Sequence, residues 1–84
     1  MDKKFYNAKG ELTDYSLSCG YMQLAENENE RVRLYKESNV YHVIHFDIIN
    51  GKRLWLSFDV LTLARKQYNQ WKKFIKQGVR TCKA

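Results

Sequence analysis

At Asp59 the apolar residues of the chain change period. Before it, in YHVIHFDIINGKRLWLSF (41–58), side chains alternate along runs rich in β-branched and aromatic residues, so Leu54, Leu56 and Phe58 face one way and Arg53, Trp55 and Ser57 the other. After it, Val60, Leu61, Ala64, Tyr68, Trp71 and Ile75 recur at three- and four-residue steps, the spacing of one helix face. Both patterns in that order predict one helix laid across an antiparallel sheet, because each element buries its apolar side only on the other.

The chain has 84 residues, enough for one small domain over 1–84. Its 44% apolar and 14% aromatic content is that of a folding chain rather than a disordered one. The reading is α+β: a three- to four-stranded antiparallel β-meander with one C-terminal helix on one face, in the order β-β-β-β-α. A polar head occupies 1–11, the sheet 12–58, the helix 59–78 and a basic tail 79–84. Leu12 to Leu24 reads as the first strand, since Tyr15, Leu17, Cys19 and Tyr21 alternate with smaller or more polar residues before ENENE closes the run. Arg31 to Lys36, Val40 to Ile49 and Lys52 to Phe58 follow. Asn50-Gly51 is the strongest turn signal, because both residues tolerate the positive φ of a two-residue type I′ hairpin. Asp59 is the expected N-cap of the helix and Gly78 its left-handed terminator.

The expected core face takes the even positions Val32, Leu34, Val40, Ile44, Phe46, Leu54, Leu56 and Phe58, with His42 among them. The odd positions Arg33, Tyr35, Tyr41, Val43, His45, Arg53 and Trp55 then form an uncovered surface, aromatic and basic together. Guanidinium groups bond phosphates and guanine edges, while rings stack on bases or pack on sugars and thymine methyls, so this surface suits nucleic acid. Two other uses compete. The first strand folds over the face with Tyr15, Leu17 and Tyr21 as a second small core, or the face is a protein-binding hot spot, where Trp, Tyr and Arg are also enriched.

The net charge of +6 is unevenly placed. Residues 1–30 carry three basic against six acidic side chains, and residues 31–84 carry twelve against three. On the helix, Arg65, Lys66, Lys72, Lys73 and Lys76, with Asn69, fall in one acid-free arc opposite the apolar stripe. A solvated face usually mixes both signs, so this arc points to an anionic partner. No membrane partner is expected, because the sheet uses the helix's apolar stripe.

Neither metal, cofactor nor catalysis is expected. His42 and His45, three apart in a strand, face opposite ways, and Cys19 and Cys82 stand at no recognised zinc spacing. There is no paired carboxylate, glycine-rich phosphate loop or serine elbow. Two cysteines fall short of a disulfide framework, no basic-then-apolar leader is seen, and no apolar run approaches the ~20 residues of a membrane span. The expected location is the cytoplasm.

The segment VYHVIHFDIINGKRLWLSFDVLTLARKQY (40–68) resembles the strand-hairpin-strand-helix unit of the arm-binding domains of phage-type integrases and the related plant AP2 domains. The resemblance implies a three-stranded face entering the major groove, with Arg33, Tyr41, His45, Arg53 and Trp55 as its reading residues. The chain departs from that family in the acidic segment at 11–30. The head FYNAKGELTDYSLSCGYMQ (5–23) is similar to the opening of small accessory proteins of phages and other bacterial mobile elements. That likeness implies a bacterial host cell and a regulator or an inhibitor of host defence.

The expectation is a non-enzymatic binding protein of mobile-element type, in its leading form a double-stranded DNA-binding module. The second form is an anti-CRISPR-type inhibitor, occupying the nucleic-acid-binding or catalytic region of a host defence protein. The third is an assembly protein that pairs through its first strand.

Overall fold

The structure, a computed structural model, describes residues 4–83, with the side chains at 74 and 76–83 outside the description. Four strands, β1 (Gln23–Glu26), β2 (Glu30–Glu37), β3 (Val40–Asp47) and β4 (Lys52–Phe58), form one antiparallel sheet in that order. A short helix α1 (Asp14–Ser18) precedes the sheet and a long helix α2 (Leu61–Lys83) follows it. The α+β meander with a C-terminal helix on one face is therefore the fold of this chain.

The expected strand over 12–24 is instead α1 plus the late, short β1. Thr13 is the reason. Its hydroxyl accepts from the Ser16 backbone N–H at 3.3 Å, capping α1, and donates to the Lys4 carbonyl at 2.6 Å. Ser16 is fully buried and donates its own hydroxyl to the Phe5 carbonyl at 2.7 Å. Gly20, at φ +99°, then turns the chain out of the helix into β1. Leu17 enters the main core from α1, while Tyr15 and Tyr21 stay exposed around Phe5, at ring distances of 5.6 and 6.0 Å.

The turns set the faces. Glu37 pairs with Val40 across Ser38 and Asn39, both at positive φ (52° and 65°), so the two-residue turn of I′ character is here. Asn50-Gly51 belongs to a longer loop between paired Asp47 and Lys52. There the Gly51 N–H bonds to the Asp47 carbonyl at 2.8 Å, and the Asp47 carboxylate accepts from the backbone N–H groups of Ile49 and Asn50 and from the Asn50 side-chain amide. That amide first, then the backbone donors, hold the Asp47 carboxyl below the usual aspartate range.

Both turns pair odd residues with even ones. Val32, Leu34, Tyr41, Val43, Leu54, Leu56 and Phe58 therefore share the helix side of the sheet. The even-position expectation holds for β2, holds for β4 in side only, since Leu54 and Leu56 are exposed outside the core with Phe58 alone at its margin, and is inverted for β3: Val40, His42, Ile44 and Phe46 face away from α2, and Tyr41, Val43 and His45 face it. The core joins Leu12, Leu17, Val32, Leu34, Tyr41 and Val43 to Ala64, Tyr68 and Ile75 of α2, with Ala25, Phe58, Leu61 and Trp71 at its margin. Burial also pushes the Tyr68 hydroxyl's pKa up.

Helix α2 begins two residues after Asp59, with Ala64 bonding back to the Val60 carbonyl at 3.3 Å, so Asp59 lies outside the cap position expected for it. It continues past Gly78, beyond the expected end near Gln77, because nothing in that stretch breaks the backbone ladder. No helix among the described residues is long and apolar enough to cross a membrane.

Candidate nucleic-acid interface

The face of the sheet away from α2 is open, and its cross-strand rows follow from the register. One row is Tyr35, His42 and Ser57; the next is Leu24, Arg33, Ile44 and Trp55; the next is Glu26, Arg31, Phe46 and Arg53. Alternation along each strand puts these side chains on one side of the backbone. Trp55 is 50% exposed. The first strand does not shield it, because β1 pairs with β2 at the far edge while Trp55 stands on β4.

Three rings form an arc across the face. Tyr35 and His42 lie 5.1 Å apart at a 37° tilt, and His42 meets Trp55 edge-on at 5.6 Å. Ile44 sits between Arg33 and Trp55 and is only 3% exposed, so the arginine stem and the indole cover it. The face thus has a dry centre with aromatic and cationic walls.

The charges on this face are unequal in freedom. Arg31 donates to Glu26 at 2.8 Å, a surface ion pair. Among the described residues, Arg33 and Arg53 carry no ion pair, and the Arg33 Nε is buried without a hydrogen-bond partner. A guanidinium free of an ion pair beside a desolvated surface is a ready anion contact.

Of the residues expected to read nucleic acid, Arg33, Tyr35, Arg53 and Trp55 share this face, and two do not. Tyr41 is buried on the helix side, where its hydroxyl donates to Asp14 Oδ1 at 2.6 Å. Lys36 reaches the same oxygen at 3.1 Å and lies over the Tyr41 ring, 5.3 Å from its centre. The Tyr41 bond first, then Lys36, holds Asp14 below the usual aspartate range; the same bond raises Tyr41, and Asp14 raises Lys36. Tyr41 is thus an anchor for α1. His45 also lies on the helix side, 3.3 Å from Glu30 and with its ring 5.7 Å from that of Trp71. The displaced pair is replaced by His42 and Phe46, and the row of Arg53 adds Arg31 to the face. The signal for His42 and Phe46 was the two-residue turn at Ser38-Asn39, which fixes the parity of β3; Arg31 was legible as the neighbour two before Arg33.

The helix cations lie elsewhere. Ala64, Tyr68 and Ile75 point α2 into the sheet, so exposed Lys66 and Lys73, roughly half a turn round the helix, point away from both sheet and open face. Lys72 is half-buried on the flank, and Lys76 lies outside the described side chains. Arg65 donates to the Leu12 carbonyl at 2.7 Å and fastens the N-terminal segment to α2. Beside it, Lys9, Glu11, Thr62, Lys66 and Asn69 line a cleft of about 420 Å³. Glu11 occupies it as an anion, since hydrogen bonds from Asn7 and then Asn69, outweighing a modest burial penalty, hold its carboxyl below the usual range. The open face and the helix arc, read from the sequence as two basic surfaces, lie on opposite sides of the molecule.

Comparison with protein-family models, with curated proteins and with solved structures returns no match.

Proposed function

We propose that the chain is a non-enzymatic DNA-binding protein, of the kind carried by phages and mobile elements, which lays the open face of β2, β3 and β4 against duplex DNA. One observation carries the proposal: Arg33 and Arg53, free of ion pairs among the described residues, flank an uncovered ring arc of Tyr35, His42 and Trp55. A ribbon of two or three strands fits the width of a B-form major groove, and its outward side chains reach base edges. The arginines bond phosphates or guanine edges. Trp55 and Phe46 offer apolar area to sugars and thymine methyls. Lys66 and Lys73, on the far side, add long-range attraction rather than contacts in the same groove.

The test is a fluorescence-anisotropy titration of labelled duplex DNA at about 50 mM and about 200 mM salt. Wild type is expected to bind with a steep salt dependence, and Trp55→Ala and Arg53→Ala to lose most of that binding while keeping the circular dichroism of the fold. Absence of any salt-sensitive complex at the lower salt would end the DNA reading.

A second reading is an anti-CRISPR-type inhibitor using the same face on a host defence protein. The Glu26–Arg31 pair favours it, because the β1 side of the face then presents both signs, as protein interfaces do. It predicts that Trp55→Ala loses a protein complex, with DNA binding absent throughout.

A further inference from the structure

The sheet has two edges, and they differ. β1 is four residues long, whereas β4 is seven, and six of those seven are exposed. β4 contains no proline and no bulge, and its only charges are Lys52 and Arg53 at one end. Edges of this length and composition are ordinarily blunted, because their unpaired N–H and C=O groups template another strand. Helix α2 lies mainly across β2 and β3 and covers β4 only towards Phe58, leaving Leu54 and Leu56 open. Leu54 is 57% exposed there and Leu56 42%.

We propose that β4 pairs with β4 of a second copy of this chain, antiparallel about a two-fold axis through Leu56. Such an axis, perpendicular to a continuous sheet, keeps each side chain on its own face, so a residue meets one of the same parity. Centred on Leu56, the pairing sets Leu54 against Phe58 of the other copy, Leu56 against Leu56 and Phe58 against Leu54, three apolar pairs on the helix side. On the open side Trp55 meets Ser57, and just past the strand end Arg53 of each copy comes alongside Asp59 of the other, in the bend that leads into α2. Neither Arg53 nor Asp59 has an ion pair within its own chain among the described residues, and both are exposed. The two-fold therefore brings together opposite charges that the monomer leaves apart. A register centred on Trp55 keeps apolar pairs, Leu54 against Leu56 and Trp55 against Trp55, but it sets Lys52 against Phe58 and Arg53 against Ser57 and so loses the charge match. Charge complementarity selects the Leu56 register and a second copy as the occupant.

The dimer goes beyond the DNA reading, and it sets both open faces on the same side of one continuous sheet. It is tested without nucleic acid, so its failure and that of DNA binding are separate results. Sedimentation equilibrium of the full chain at about 100 μM is expected to give twice the 10.1 kDa monomer mass. Leu56→Lys, which opposes like charges on the axis, and Asp59→Arg, which opposes Arg53, are each expected to weaken the dimer at least about tenfold while circular dichroism stays unchanged. The reciprocal variant Arg53→Asp/Asp59→Arg restores the match and is expected to dimerise as wild type does. A monomeric wild type overturns the proposal and leaves the edge to a strand of another protein. So does a dimer indifferent to Leu56→Lys, or a charge exchange that fails to rescue Asp59→Arg.

Discussion

Trp55 donates its indole N–H to Nδ1 of His42 over 3.1 Å, and the Ser57 hydroxyl reaches the same nitrogen at 2.8 Å. An indole N–H only donates, so Nδ1 accepts, and the neutral His42 ring carries its hydrogen on Nε2. Together with the edge-on ring contact, this bond holds a half-exposed tryptophan in one orientation before any ligand arrives. A preset side chain loses less freedom on binding.

His42→Ala removes that support and is expected to weaken duplex binding about threefold to tenfold, the equivalent of ordering one free aromatic side chain on binding. The check is made in a Trp71→Phe background, where Trp55 is the single tryptophan of the two in the chain. Its emission anisotropy should fall with His42→Ala while thermal stability changes little. Unchanged affinity with a loosened Trp55 would show that orientation of the indole plays no part in recognition.

Arg33→Ala and Arg53→Ala should each weaken binding, and each should lower the slope of log affinity against log salt by about one if the arginine meets a phosphate. His45→Ala is the control, because its ring is turned to Trp71 on the other side of the sheet. It should leave both affinity and slope unaltered. Equal losses for His45→Ala and Arg53→Ala would place the ligand on the wrong face for the proposal.

The Asp14–Tyr41 bond has a pH signature with opposite signs at the two groups. Asp14's folded pKa lies below the ordinary value of 3.8, so its contribution is present above that value and lost as pH falls through the depressed one. Tyr41's lies above 10.0, so its contribution is present below that value and lost as pH rises through the raised one. Tyr41→Phe is expected to cost about 1 kcal/mol at pH 7, since Asp14 is well exposed to solvent and screened. Urea unfolding should show that cost shrinking as the pH drops below the aspartate range. A penalty equal at pH 7 and at pH 2 would mean that packing of the ring, not the carboxylate, holds α1.

Backbone conformation makes the two hairpin turns unequal. Ser38 and Asn39 both sit at positive φ, where serine is strained, so Ser38→Asn/Asn39→Gly should stabilise the fold by about 1 kcal/mol. Gly51→Ala should destabilise it by a similar amount. Gly51 stands at φ +71° with open space where a Cβ would sit, so the strain is purely in the backbone. A neutral Gly51→Ala in thermal melts would mean that the loop relaxes to another conformation.

These turns also explain what was legible. The meander and the closing helix were plain because period two and period 3.6 do not mimic each other over seven or more residues. In β2 and β4 one parity is markedly more apolar, and the core sides were read correctly there. β3 gives no such contrast: Val40, Ile44 and Phe46 are as apolar as Tyr41 and Val43, and only the length of the Ser38-Asn39 turn decides between them. Asn50-Gly51 has the stronger composition for a two-residue turn, yet the Asp47 side chain captures that loop into a longer form. At 12–24, Thr13 capping and the buried Ser16 hydroxyl overrode an alternation that looked like a strand. Of the open face, Arg33, Tyr35, Arg53 and Trp55 were placed together from the sequence, whereas His42 followed only from register.

Distance decides the part played by the helix lysines. The shortest principal extent of the molecule is 18 Å, and screening at physiological salt acts over about 8 Å. Lys66 and Lys73, on the side opposite the open face, are thus more than a screening length from a duplex seated on that face. Lys66→Ala/Lys73→Ala is expected to lower duplex affinity less than about threefold at physiological salt, with a larger effect on the association rate at about 10 mM salt, where the screening length grows to about 30 Å. Stopped-flow association and equilibrium titration at the two salt concentrations separate these effects. If the double variant loses as much affinity as Arg53→Ala at physiological salt, the duplex lies along α2, and the open face must be reassigned to a protein partner.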